Sequence, residues 1–353
     1  MSWAFPSAGS TYVPDTKASG NLTVQFSRNP AAFAVAAYTA YGRTTTPVGR
    51  YIKIDSDAAR RLKDRNAYIW PDGDDRPKGK SFGFKMPTYA CERLDFPFMI
   101  PQLAADNASW AILPSHMQLD VNLAMTERTQ AVRNVACTLS NWDTGHTLDV
   151  ATNIGNWANS SFSDGFIQKT FQYAALAIIR DTNGMVGPND LLCVMDPNVA
   201  KAIAQSGEFK DWLKQSPAAQ AQIENSGSFG AALFGLPPTL WGFRIIVEVT
   251  PVDTAQEGAT ENTVFLYSSV TDPGTGSSLY NCVLFCARPG SIVAPPPDSP
   301  NFSAITIFFQ EEMTVEQKSD TDNRRYEGHI VTNYKPVVTA GVSGFLGWNV
   351  LSH

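Results

Sequence analysis

Residues 116 to 137, HMQLDVNLAMTERTQAVRNVAC, place the strongest constraint on the fold. Met117, Val121, Ala124, Met125, Val132 and Val135 recur at steps of three, four and seven, so they share one face of a helix. A helix of that length extends about 30 Å, and its apolar stripe needs a continuous surface to cover it. Ser115 followed by Gln118 has the capping-box spacing and predicts the helix start. Arg128 is the one charged residue on the stripe; its stem is expected to lie along the apolar face with its head in water.

The chain ahead of this strut has a different texture. Residues 1 to 46 show no sustained period of 2 or 3.6, and Pro, Gly, Ser and Thr recur, which predicts an arm without a core of its own, held by contact with the body or with neighbouring chains. Residues 47 to 95 predict a long hairpin, because VGRYIKI (48 to 54) and SFGFKMPTYAC (81 to 91) alternate as strands do around the turn-rich WPDGDDRPKGK. Between Arg50 and Lys85 stand ten basic residues and six aspartates, a local charge of +4 in a chain whose net charge is -6. A basic projection on an acidic body suits docking onto another copy.

Beyond the strut a second helix is expected from Asp164 to about Arg180, with Ile167, Phe171, Ala174, Ala175 and Ile178 buried and DTNG stopping it. LLCVMD (191 to 196) reads as a buried strand, Asp196 then Pro197 as a helix start, and SGEFKDWLKQ as a short helix. Strands are expected at 241 to 249, 263 to 269, 279 to 287, 303 to 310 and 326 to 339, which gives an α+β chain with segregated lobes. A length of 353 residues suits two or three domains.

Composition excludes several function classes. At 43% hydrophobic and 17% charged the chain is globular, and its 27 basic against 33 acidic residues leave no excess to neutralise phosphates, which argues against a dedicated DNA reader. No apolar run approaches the ~20 residues of a membrane span, and the first residues do not read as a secretory signal. The five cysteines are odd in number and scattered, so they are expected to be reduced core residues. The Asn-X-Ser/Thr triplets at Asn21, Asn107, Asn159 and Asn301 carry weight only in a secreted chain.

No catalytic constellation emerges. His116, His146, His329 and His353 are not paired at metal-ligand spacing, and Cys282 and Cys286 share a strand face without reaching each other. PDGDDRPK fails the calcium-loop pattern, GTGSSLY (274 to 280) lacks the third glycine of a dinucleotide loop, and GVSGF (341 to 345) misses the nucleophile elbow. Adjacent Glu311 and Glu312 point to opposite faces of a strand and cannot flank one bond.

The order of parts resembles a tailed-bacteriophage major capsid protein of the Hong Kong 97-like fold. The arm (1 to 46), the hairpin as extended loop, or E-loop (47 to 95), and a spine helix (116 to 137) within a peripheral domain (96 to 185) match in sequence order. An axial domain (186 to 310) matches through LLCVMDPNVAKAI and GLPPTLWGFRIIVEVT, and the return to the peripheral domain (311 to 353) through YEGHIVTNYKPVV. The resemblance implies a structural protein and no enzyme: hexamers and pentamers self-assemble into an icosahedral virion shell around double-stranded DNA, put together in the host bacterial cytoplasm. It implies no cofactor and no membrane, with portal, decoration and scaffolding proteins as possible partners. Because no scaffold-like helical region precedes the arm, a scaffold would be a separate chain. Some family members crosslink an E-loop Lys to a neighbour's Asn; Lys78, Lys80 and Lys85 are available, but no motif selects one, and non-covalent docking is expected.

In that family the extended loop lies over a neighbour's peripheral domain. The stretch 311 to 327 has a local charge of -3, so the resemblance pairs Arg60, Arg61, Lys63, Arg76, Lys78 and Lys80 of one copy with Glu311, Glu312, Glu316, Asp320 and Asp322 of the next. The alternatives are an encapsulin-like compartment shell or, from another class, a hydrolase or carbohydrate-binding protein with Trp70, Trp110 and Trp241 as a sugar platform.

Overall fold

The computed structural model describes residues 13–14, 34–54, 85–107, 112–215, 234–253, 255, 260–288, 303–320 and 323–351. The chain enters through strand β1 (Val13–Pro14), one helical turn α1 (Val35–Tyr38) and strand β2 (Ala40–Arg43). Strands β3 (Val48–Arg50) and β4 (Thr88–Ala90) form the root of a hairpin, and β5 (Glu92–Pro101) continues from it. Helix α2 (Gln102–Asn107) precedes the long helix α3 (Ile112–Ala136). Next come β6 (Thr147–Asp149), α4 (Val150–Asn153), α5 (Phe166–Asp181), β7 (Leu191–Met195), α6 (Pro197–Gln205) and α7 (Gly207–Gln215). Seven short strands follow: β8 (Thr239–Leu240), β9 (Phe243–Val247), β10 (Pro251–Asp253), β11 (Thr263–Phe265), β12 (Ser269–Thr271), β13 (Ser278–Tyr280) and β14 (Val283–Ala287). Two long strands, β15 (Ile305–Asp320) and β16 (Arg325–Val338), precede the last strand, β17 (Gly344–Trp348).

Two sheets organise these elements. One has six strands in the order β6-β17-β14-β7-β9-β8; the other is built on β15, with β16 and then β5 on one side and β1 and β2 on the other. Strand β7 is buried along its whole length because both sheet faces are covered, which is why LLCVM carries no polar alternation. One face packs on α5, α6 and α7 through Phe171, Ile178, Ile203, Phe209, Phe243 and Phe285. The opposite face, with Leu192, Val194, Ile246, Leu284 and Leu346, meets Val132 and Ala136 of α3 and Ile305, Ile307, Phe309, Tyr334 and Val338 of the second sheet in one shared core. Further along α3, Met117, Val121 and Ala124 pack on Phe98, Ile100, Val315 and Ile330.

Local chemistry explains the boundaries. Asp196 caps α6 by accepting from the Val199 N–H at 2.8 Å, with Pro197 opening the helix, as expected. Buried Glu208 accepts from the N–H groups of Ile167 and Gln168 at 3.0 and 2.8 Å, and so caps α5 from another element. The hairpin root is antiparallel in one unbroken register, Val48 opposite Ala90 through Lys53 opposite Lys85; the tip expected beyond it lies outside the described residues.

Several expectations are corrected. Helix α3 begins at Ile112, so Ser115 lies within it and the capping box does not operate. Arg128 is 6% exposed, its head over the rings of Phe309 (4.9 Å) and Tyr334 (5.7 Å) instead of in water. The run 279 to 287 is two strands broken at Asn281, whose φ is 48°, and 263 to 269 is a strand only as far as Phe265. Strand β5 was not expected, and β15 runs ten residues past the expected end at 310, so the breaks placed at 95/96 and 310/311 fall inside continuous strands. Residues 34 to 38 belong to the body: Ala34, Val35 and Tyr38 sit in the shared core.

Candidate functional site

The acidic stretch singled out in the sequence lies on the second sheet. Residues directly opposite one another in an antiparallel pair project from the same face. Glu311 stands opposite Asn333, Glu316 opposite His329, Lys318 opposite Glu327 and Asp320 opposite Arg325, while Asp95 of β5 stands opposite Val331. All the β16 partners are odd-numbered, so these groups share the face turned away from α3. The even-numbered Tyr326 and Ile330 face α3 with Val315. Glu311, Glu316, Asp320, Glu327 and Asp95 therefore share this face with the basic Lys318, Arg325, Lys335 and, opposite Asn333 on β5, Arg93, in a strip with a slight acidic excess.

Part of the strip is internally neutralised. Arg325 meets Asp320 at 3.1 Å and Glu327 at 2.5 Å, and His329 Nδ1 is 2.8 Å from Asp95. Glu311 accepts from the Thr314 hydroxyl at 3.2 Å, and Glu316 makes no side-chain hydrogen bond among the described residues. Glu312 points elsewhere. The irregularities of β15 between Phe309, Glu311 and Thr314 take it out of the alternation, and it pairs with Arg43 at 3.4 Å, both side chains well exposed. The structure thus groups Glu311, Glu316 and Asp320 and separates Glu312. Arg60, Arg61, Lys63, Arg76, Lys78, Lys80 and Asp322 lie outside the described residues.

The hairpin root packs on this same face. Phe308, opposite Lys335, belongs to the face of Asn333 and His329, and there Tyr89 stacks on it with ring centroids 4.7 Å apart, Tyr51 tilted at 5.9 Å. Glycine makes the stack possible on both sides. A Cβ on Gly42 would fall 2.6 Å from the Phe308 ring, and one on Gly49 would fall 2.6 Å from the Tyr89 oxygen. The sequence signal for this platform, aromatics and glycines at matched strand positions, is legible only once the register is known.

The remaining candidates serve the fold. His146 is fully buried between the Gly344 carbonyl at 2.7 Å and Asp181 at 3.0 Å. The GTG turn is held by Asp272, which accepts from the Gly274 N–H and the Thr275 hydroxyl. Ser343 donates to the Ala340 carbonyl. Trp241 packs on Phe171 and Trp212; Trp70 and Trp110 lie outside the described residues. A cleft of about 240 Å³ between α3 and β16 has its polar groups engaged with one another, Tyr334 with Glu127 and Lys335 with Glu92. Burial raises the Glu127 carboxyl there. Among the described residues no cluster of three His, Cys, Asp or Glu could hold a metal, and no helix is long and apolar enough to cross a membrane. The five cysteines are all free thiols.

No protein-family model and no curated protein matches the sequence. Solved structures do match the fold. A phage-related protein from Bordetella bronchiseptica RB50 superposes with a TM-score of 0.65 at 13% identity, over 97% of this chain and 99% of that one. The capsid of cyanophage P-SCSP1u matches with a TM-score of 0.55 at 10% identity, over 89% and 86% of the two chains. The mature capsid of bacteriophage PhiM1 matches at 0.53 and 9%, over 100% and 91%. This chain has the fold of the phage capsid proteins.

Proposed function

We propose that the chain is a phage major capsid protein, a structural subunit and no enzyme, whose copies close into the icosahedral head shell of a tailed bacteriophage around its double-stranded DNA. The observation that carries this reading is the fold likeness to two phage capsids over nearly the whole length of each chain. In this reading α3 is the spine helix, the hairpin rooted at β3 and β4 is the extended loop, and the six-stranded sheet is the axial domain. Hexamers and pentamers form through mutual contacts, assembly occurs in the host cytoplasm, and scaffold, portal and decoration proteins are separate chains.

The proposed docking contact is supported by the face on which the hairpin root packs. A basic loop rooted on the face that carries the acidic strip would reach the same face of a neighbour, so that Arg60, Arg61, Lys63, Arg76, Lys78 and Lys80 of one copy meet Glu311, Glu316, Asp320 and Asp322 of the next, with Glu312 at the margin. Exposed pairs contribute only ~0.2 to 1 kcal/mol each, so no single substitution abolishes assembly. The triple variant Arg76→Glu, Lys78→Glu, Lys80→Glu is expected to assemble more slowly than the parent at low salt, with the difference narrowing as salt screens the contact. Equal low-salt rates by light scattering would remove the docking claim. The shell itself is tested by electron microscopy of the purified protein, alone and with any scaffold encoded beside it. Closed particles containing nucleic acid support the reading, particles filled with an enzyme cargo favour a compartment shell, and a persistent monomer rejects both.

A further inference from the structure

Helix α5 runs out at the one Asn-Gly dipeptide in the sequence, Asn183 followed by Gly184. The helix end has the geometry of a Schellman cap. The Asn183 N–H donates to the Arg180 carbonyl at 3.2 Å and the Gly184 N–H donates to the Ile179 carbonyl at 2.9 Å, which satisfies two carbonyls that the last turn leaves open. Asn183 holds the left-handed position, φ 55°, where such caps usually carry glycine, and Gly184 follows at φ 74°. Both residues are exposed, whereas Val186, just beyond them, is buried in the core cluster that contains Ile178.

We propose that Asn183 is a spontaneous deamidation site whose rate is set by opening of the α5 cap. In the first step the Gly184 backbone nitrogen gives its proton to solvent and attacks Cγ of the Asn183 side chain. A C–N bond forms, the bond to the side-chain nitrogen breaks, and that nitrogen leaves as ammonia with a proton from water. Water then adds to the five-membered imide. Cleavage of its Cγ–N bond gives aspartate, and cleavage of its backbone C–N bond gives isoaspartate, in which the chain runs through Cγ. One water is consumed, one ammonia is released, and nothing is oxidised or reduced. Glycine as the following residue puts no Cβ in the path of the attack, which singles this dipeptide out among the asparagines of the chain.

The cap opposes the first step. The attacking nitrogen is the one whose N–H is held by the Ile179 carbonyl, so it can neither lose its proton to water nor turn toward Cγ until the last turn of α5 opens. Reaction and opening are coupled through a single atom. The products weaken the cap in turn: a new carboxylate at a helix C-terminus opposes the macrodipole, and isoaspartate adds a backbone carbon between the two N–H groups that close the cap. The site belongs to a single chain and stands or falls independently of the shell reading.

Conversion of the full-length chain at mildly alkaline pH, followed by mass spectrometry of the fragment containing Asn183, tests it. The folded chain is expected to convert about tenfold or more slowly than the same chain held unfolded in guanidinium chloride. The slowdown is expected to match, within about threefold, the protection of the Gly184 amide against hydrogen exchange in the same buffer, because both processes need that nitrogen freed. Val186→Ala, which removes the buried anchor beyond the cap, is expected to speed conversion of the folded chain and leave the unfolded rate unchanged. Equal rates in folded and unfolded chains, a slowdown unrelated to the Gly184 protection, or an unchanged folded rate in Val186→Ala overturns the gate, and no conversion in the unfolded chain overturns the site. Should Val186→Ala fail to fold, the two measurements on the parent decide alone.

Discussion

At the scale of single residues, close approaches and buried charges dominate. Gly328 sits opposite Phe98 across β16 and β5, and a Cβ there would lie 2.0 Å from the Phe98 ring, so the ring fills the space a side chain would take. Gly328→Ala is expected to destabilise the fold by ~1–3 kcal/mol in urea denaturation, and by clearly less in a Phe98→Leu background where the ring is gone. Asp196 supplies a second test. It is fully buried, one of its oxygens has no hydrogen-bond partner among the described residues, and burial raises its carboxyl from 3.8 to about 6. The folded chain therefore binds that proton more tightly than the unfolded chain, and stability from this group is greatest below about pH 4 and is lost as pH rises to about 6. Asp196→Asn keeps an N-cap acceptor and is expected to remove about 2 kcal/mol of that loss, read as unfolding free energy at pH 4 and 6.5 in parent and variant. Neither Gly328 nor Asp196 advertises this behaviour in the sequence. A glycine's partner depends on strand register, and an aspartate ahead of Pro197 reads only as a cap.

At the scale of elements, β5 is an edge strand among the described residues, and its outer side shows how a strand is kept from pairing further. Gln102, just past β5, donates to the Arg324 carbonyl, so even-numbered backbone groups face β16 and odd-numbered ones face outward. Pro97 and Pro101 are both odd, and each removes an outward N–H from an edge that would otherwise accept another strand. Pro97→Thr is expected to leave unfolding nearly unchanged while raising the rate of irregular association, measured by light scattering of dilute subunit. A rate equal to the parent's would show that the edge is protected by other means. These prolines also hid β5 from sequence reasoning, because Pro inside an apolar run argues against a strand unless its edge position is known. Other elements were plain in the sequence: Asp196 and Pro197 announced α6, the Ile167 to Ile178 stripe announced α5, and the alternation of 48 to 54 with 81 to 91 announced the hairpin root. The length of β15 was hidden because its outer half is polar on one face, as a strand exposed on one side is. Arg128 misled because guanidinium stems usually run out to water, and only the aromatic pair Phe309 and Tyr334, far away in sequence, gives its head another place.

At the scale of the whole molecule, the buried residues of α1 and the shared core decide what truncation does. Removing residues 1 to 40 takes away the buried Ala34, Val35 and Tyr38, so that variant is expected to lose several kcal/mol and unfold at clearly lower temperature as an isolated chain. Removing residues 1 to 12 stops short of β1 and leaves these groups in place, and is expected to keep the thermal midpoint within a few degrees of the parent. Differential scanning calorimetry of the two truncations separates the cases, and equal midpoints would show that α1 contributes little to the core. The same core carries a mechanical consequence. Leu284 and Leu346 from one sheet, Ile307 and Phe309 from the other, and Val132 from the long helix interlock in one cluster, so a load on either lobe passes to the other through packed side chains as well as through the covalent crossings. Bending one lobe against the other would have to pull that cluster apart. The chain is thus stiff at this junction, and in the proposed shell curvature would be taken up at the seams between copies.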